Sequence, residues 1–294
     1  NNEQGSFSTS NTLTYAGKMK KHSYDVMLGQ EYVARWSRWF SASASNFPND
    51  DIGLNDMSLG ATPGTPKSSY NDDDILLSFF GRVNYSYADK YLFSASMRAD
   101  GSSKFGANNK WGYFPAVSAA WRVSEEGWWK ENVRFIDYFK LRGSISQTGN
   151  DALVDIDGNL DRSIQYLNTY KFSGYYLYGN TYDPYLEPTR TPNPNITWEV
   201  GTTYNVGVDF KFLQNRLSWE TDAFYHKRTN MLIYRNASLP ETSGITLPRE
   251  NLGEMCNRGF ESLISWQDRA GKVNYNASVN MTYAKNKILF WDEV

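Results

Sequence analysis

The chain has little of what catalytic and metal sites are usually built from. Its 294 residues include one cysteine and two histidines. Cys256 cannot close an internal disulfide, so it leaves the redox compartment unread. His22 and His226 stand far apart at polar strand positions, and no HExxH, GxSxG or phosphate-loop pattern occurs. A net charge of −2 removes the electrostatic case for nucleic acid. Mean hydropathy is −0.61 and no apolar run is long enough for a membrane-spanning helix. The opening NNEQGSFSTS lacks the charged start and apolar core of a secretory leader. If the protein is exported, its true N-terminus is expected to be missing. None of these absences excludes a membrane β-barrel, where only alternate residues meet lipid and average hydropathy stays low.

What the chain does have is aromatic residues, 16% of the total, arranged in long alternating segments. The clearest stretch is Ile75–Val123. Ile75, Leu77, Phe79, Gly81, Val83, Tyr85 and Tyr87 fall on one face of a first strand, opposite Ser78, Arg82, Asn84 and Ser86; Leu76 and Phe80 break the pattern. Tyr91, Phe93, Ala95, Met97 and Ala99 repeat it against Ser94, Ser96, Arg98 and Asp100. Trp111, Tyr113, Val117, Ala119 and Trp121 do so again against Gly112, Ser118, Ala120 and Arg122. Such strands, roughly 10–13 residues long, exceed soluble norms and suit a tilted bilayer crossing. Aromatics at the ends of the apolar face, with small or aliphatic residues between, match a wall facing lipid between two interfacial girdles.

The same pattern predicts strands over 8–17, 22–40, 138–147, 196–210, 216–227, 255–267 and 272–284, about ten in all. The connections between them alternate in length. Short ones fall at 18–21, 88–89, 211–215 and 268–271, with a short to medium one at 124–137. Long ones fall at 41–74, 149–195 and 229–254, with an intermediate one at 101–110. Outer-membrane barrels have short periplasmic turns and longer extracellular loops, whereas a β-sandwich gives no reason for such one-sidedness. The expected fold is therefore all-β: an antiparallel transmembrane β-barrel, with about ten strands of a larger barrel present.

Four blocks carry a family resemblance: Leu76–Glu126, Phe139–Asn150, Asn193–Ile233 and the N-x-G-x-x-x-N-x-G-x-E pattern of Asn251–Glu261. Their order and spacing resemble the SusC/RagA family of TonB-dependent outer-membrane transporters. The resemblance implies a 22-stranded barrel around a plug. It also implies import of oligosaccharides or peptides, energy passed through TonB, and a SusD-like surface lipoprotein over the mouth. Residues 1–294 would then be a partial outer-membrane barrel domain, with the plug domain, TonB box and final strands absent. The alternative is a soluble or surface-anchored all-β carbohydrate-binding module, which would bury its apolar faces between two sheets.

Within that reading no catalytic residue is expected. A β-rich glycoside hydrolase would need two facing carboxylates, and nothing singles out a pair from Glu199, Asp209, Glu220 and Asp222. Tyr166, Tyr170, Phe172, Tyr175, Tyr176, Tyr178, Tyr182 and Tyr185 crowd one long loop and are the candidates for ligand or lid contact, since aromatic faces suit sugar C–H surfaces and protein interfaces alike. The simpler reading is a large extracellular loop packing on itself and its neighbours. Arg82, Arg98, Asp100, Arg122, Lys140 and Arg142 face the lumen on consecutive strands and are expected to hold the plug. Asp155, Asp157, Asn159 and Asp161 alternate around Gly158 as oxygen ligands of calcium would, but Tyr166 stands where a calcium loop has its bidentate glutamate. An ordinary acidic turn is the competing reading, and no other cofactor is implied. Asp72–Asp74 reads as a solvated loop end.

Overall fold

The computed structural model describes residues 2–49, 56–153, 164–168, 170–188, 191–234 and 247–292. Ten strands form one antiparallel sheet: β1 (Asn2–Met19), β2 (His22–Ser41), β3 (Lys67–Tyr87), β4 (Tyr91–Ser102), β5 (Trp111–Arg122), β6 (Ile136–Asn150), β7 (Glu199–Phe212), β8 (Leu217–Tyr234), β9 (Arg249–Ala270) and β10 (Val273–Phe290). Each pairs with its sequence neighbours, so the sheet is a meander without crossovers.

The turns at one end are tight because their residues adopt left-handed backbone. Lys20, Ala88, Asp89, Leu213, Gln214, Asn215 and Gly271 all have φ between 52° and 62°. Two-residue hairpins favour such turns because their twist matches the strands they join. The fifth connection at this end holds a 3-10 turn at Val123–Glu125 and a single α-helix, Gly127–Asn132. The long connections all lie at the opposite end, as the alternation predicts.

Several strands run past their sequence-based ends. β3 begins at Lys67, not Ile75, and Asp74 is buried within it, 7% exposed. The polar composition of 67–74 disguised a strand whose bonds go to β2, through Ser41↔Lys67 and Arg35↔Asp74. β8 reaches Tyr234 and β9 starts at Arg249, which shortens the expected 229–254 loop. The connection 151–198 contains a hairpin, Tyr170–Tyr178 with Thr181–Pro188, where a structureless loop was expected.

Among the described residues no second sheet covers the apolar face. Phe79 is 49% exposed, Tyr113 61% and Val206 65%, all in interior strands of the sheet. The sandwich-like binding module required these residues to be buried, so that reading fails. The described core lies elsewhere. Phe105, Phe114, Leu153, Ile196 and Trp198 cluster near the long-loop end, with Leu76 and Tyr166 packed against them. Leu76 breaks the polar face of β3 because it serves this cluster. Ile196 and Trp198, expected to begin a strand, fold into it ahead of β7. A Cβ at Gly149 would overlap the Phe114 ring, so glycine at that point lets the ring lie flat on β6.

Trp198 touches Phe105 and Phe114 at ring separations of 5.2 and 5.4 Å, and its indole N–H donates to the Lys110 carbonyl at 3.2 Å. In the full-length protein, Trp198→Ala is expected to cost about 3–5 kcal/mol in a denaturant titration and to expose 191–198 to protease. Phe135→Ala, at a residue 73% exposed, should change stability by under about 0.5 kcal/mol.

Candidate functional site: inner polar wall and outer aromatic hairpin

Strand register decides which polar groups meet on the inner face. Arg98 on β4 donates to Glu31 of β2 and to Asp100, each at 2.7 Å, and to the Ser78 hydroxyl at 2.8 Å. Its guanidinium lies 5.2 Å over the Phe80 ring, and Phe80 in turn occupies the space left by Gly29. Phe80, the other exception to the alternation of β3, is thus the platform of this network.

A second network spans β6 to β8. Lys140 and Arg142 donate to Asp209 at 3.0 Å, and Arg142 makes a two-pronged pair with Asp222 at 2.6 and 2.5 Å. Asp222 is on β8, one strand beyond the neighbour of Arg142. The guanidinium reaches it by crossing Gly207, which is register partner to both residues. A Cβ there would lie 2.8 Å from Arg142 Cζ and 2.5 Å from Asp222 Oδ1. Asp209 and Asp222 were among the carboxylates weighed for glycoside hydrolysis; both are instead neutralised by cations. Glu199 is occupied too, accepting from Arg228, Asn150 and the Leu232 amide.

The six predicted lumen residues therefore do not form one column. Arg98 and Asp100 belong to the first network, Lys140 and Arg142 to the second. Arg122 lies at the short-turn rim, donating to the Asp89 carbonyl at 3.3 Å. Arg82 is exposed and has no ion pair among the described residues. Sequence reading missed Glu31, Asp209 and Asp222 as partners, although each sits at an inward position of its own strand. It also missed Lys104, which bridges Asp74 and Asp151 at 3.6 and 3.5 Å. Of the histidines, His22 is on the outer face among Tyr85 and Tyr87, not at a polar position. His226 faces inward, 2.8 Å from the Thr203 hydroxyl.

Between the networks the inner face forms a trough of about 490 Å³ floored by small residues, including Ser94, Ser118, Ala120 and Ser144. At the short-turn rim Glu126 gathers three donors: Lys90 Nζ at 3.0 Å, the Tyr91 hydroxyl at 2.8 Å and the Trp121 indole at 3.1 Å. These bonds, the Lys90 ammonium first, hold its carboxyl below the ordinary glutamate range.

At the opposite end stands the aromatic hairpin. Its apolar side carries Phe172 and Tyr175 in edge contact at 5.3 Å, with Leu177 and Tyr182 beyond them. The other carries Tyr176, Tyr178, Asp183 and Tyr185. All seven hairpin aromatics are exposed among the described residues. Tyr166 lies apart, against the buried cluster. The calcium candidates Asp155, Asp157, Asn159 and Asp161 lie outside the described residues. Among the described residues no His/Cys/Asp/Glu cluster could hold a metal, and no helix is long and apolar enough to cross a membrane.

Long antiparallel strands, an apolar outer face and a charged inner face define the wall of an outer-membrane β-barrel. Residues 1–292 match the TonB dependent receptor-like β-barrel family model, and the chain belongs to that family. It is of the SusC/RagA type, within a family of receptors and transporters and not of enzymes. It is 31% identical to TonB-dependent receptor P3 of Formosa agariphila over 95% of this chain and 27% of that protein. It is 32% identical to TonB-dependent receptor SusC of Bacteroides thetaiotaomicron, over 76% of this chain and 22% of that one. The RagAB peptide transporter superposes with a TM-score of 0.82 at 26% identity, over 98% of this chain and 30% of that chain. The chain thus spans less than a third of the length of each of these three proteins.

Two outcomes follow from this geometry. Gly207→Ala should destabilise the full-length barrel by about 1–3 kcal/mol, read by denaturant-induced loss of tryptophan signal, because a methyl group displaces the Arg142–Asp222 pair. The rim should weaken in acid. Because the folded carboxyl of Glu126 titrates below its unfolded value, its contribution is complete above about pH 4.3. It is lost as pH falls through the lowered folded value. Glu126→Gln should lower the thermal transition at neutral pH and flatten its fall in acid, below about pH 4.3.

Proposed function

We propose that this chain is part of the wall and extracellular loops of a TonB-dependent importer of large nutrients, either oligosaccharides or peptides. The observation that carries the reading is the contrast between the two sheet faces. One is an uncovered apolar belt; the other is a polar surface whose charges are largely paired. That arrangement suits a barrel wall against lipid outside and a protein plug inside. Strands outside this chain would pair with the free edges of β1 and β10, since an unpaired edge in lipid is not viable.

In this reading the paired cations and carboxylates present hydrogen-bonding surface to the plug without an unbalanced charge. The aromatic hairpin, on the extracellular side, contacts cargo or a SusD-like lipoprotein. Similarity to the RagAB peptide transporter favours a partnered importer and keeps peptides among the cargo classes; SusC similarity keeps the family assignment without choosing between them. The mechanism is gated passage driven through TonB, with no covalent step.

The test deletes residues 170–188 from the full-length protein in its native cell. Surface display should persist, because the deleted hairpin forms its own two-stranded sheet separate from the barrel sheet. Growth on the cognate nutrient, or co-purification of the surface lipoprotein, should fall at least tenfold, about 1.4 kcal/mol. Unchanged uptake together with unchanged lipoprotein recovery would remove the hairpin from the functional surface.

A further inference from the structure

The outer face of the sheet is not uniformly apolar. Across β3 to β7 its outward positions between the rims carry no charged side chain; they read Phe79, Val83, Phe93, Met97, Val117, Leu141, Tyr204 and Val206 in the observed register. Across β8 to β10 the pattern changes above one level. Tyr204 touches Tyr225 at 6.3 Å and Phe260 touches Tyr283 at 6.0 Å, forming an upper aromatic row. In register, Arg258 and Lys285 continue the level of Tyr225, and Lys227 and Lys287 stand one step further toward the long-loop end.

Register brings these four together. Arg258 is directly opposite Lys285, and Lys227 and Lys287 flank Cys256 from either side. Glu254 is the acidic residue at this level, and it is engaged by Lys227 at 2.9 Å. Arg258, Lys285 and Lys287 are exposed and have no ion pair among the described residues. Like charges placed opposite each other across strands repel. Three such cations set close together, beside an apolar stretch of wall, therefore favour an anion that bridges them.

The height of the cluster indicates the anion's source. From Tyr275 to Tyr283 the outward face of β10 rises about 26 Å along the strand at ~3.3 Å per residue, or about 20 Å at a tilt near 40°. That distance is close to the apolar band of an outer-membrane barrel. Lys285 and Lys287 follow just above it, at the level of lipid headgroups, where cations cost little and attract anionic lipid. The apolar strip directly beneath, Val279, Met281 and Ile264, is where the acyl chains of the same lipid would lie.

We propose that Arg258, Lys285 and Lys287, with Lys227 beside them, bind the phosphate-bearing headgroup of an outer-leaflet lipid. The side chains act as a multi-cation clamp for one phosphate, with Tyr283 and Phe260 beneath as its interfacial support. The site is on the lipid side of the wall, separate from the inner networks, and does not depend on which nutrient is imported.

The experiment places the full-length protein in nanodiscs of phosphatidylcholine, with or without monophosphoryl lipid A, and counts retained glycolipid by native mass spectrometry. The wild-type protein should retain lipid A and melt at a higher temperature in its presence. R258Q/K285Q/K287Q should lose apparent affinity by about fivefold per cation removed, while K285R/K287R should retain it. Inorganic phosphate without lipid should neither stabilise the wild type nor displace bound lipid A. Should the triple variant fail to assemble, R258Q and K285Q are measured singly, each with an expected loss of about fivefold. The proposal is overturned by equal retention in wild type and Gln variants, by stabilisation from inorganic phosphate alone, or by a full-length structure pairing Lys285 and Lys287 with carboxylates of an adjoining strand.

Discussion

Backbone hydrogen bonding is the constraint on which the rest of this structure depends. A strand that meets lipid has no water to satisfy its amides and carbonyls, so each must be paired within the sheet. That requirement accounts for the length of the strands, for the simple meander and for the tight left-handed turns that bring each strand back beside its predecessor. It also makes side-chain parity rigid. A slip of one residue would turn the lipid-facing set inward and the charged set outward, so the register of every pair is held by two incompatible environments.

Given that register, the inner wall solves its own electrostatics. Arg98 is satisfied by Glu31 and Asp100, and Arg142 by Asp209 and Asp222, largely across strands. Gly207 and Gly29 matter here because they leave room for a guanidinium and for an aromatic ring to pass over the backbone. The result is a surface rich in hydrogen-bonding groups but with most of its charge cancelled, suited to contact a neighbouring protein without demanding one particular counter-charge. The basic cluster on the outer face is the opposite case, since Arg258, Lys285 and Lys287 have no ion pair among the described residues. The buried cluster around Trp198 adds a third element: it packs Leu153, Tyr166, Ile196 and Trp198 of the long connection against Phe105 and Phe114 at the wall.

Much of this was legible from the chain alone. Alternation from Ile75 to Trp121 identified three neighbouring strands and both faces, and connection lengths distinguished the two ends of the sheet. The boundaries were less legible wherever a strand leaves the apolar zone. Residues 67–74 are polar and still pair with β2, because backbone bonding persists above the level where side chains meet lipid. The hairpin at 170–188 was hidden by aromatics on both of its faces, which erase the period-two contrast that marks a half-buried strand.

Local sequence thus determined which residues point the same way, because side-chain direction along a strand is a property of the backbone itself. It could not determine which residues meet. Asp222 is 80 positions from Arg142, and only the register of three strands places the two within hydrogen-bond reach. The same holds for Leu76 and Phe80, which looked like errors in a pattern until a buried cluster and an arginine were found against them. The division follows from distance along the chain: periodicity is a short-range property carried by each segment, whereas pairing is fixed only when all the strands have bonded.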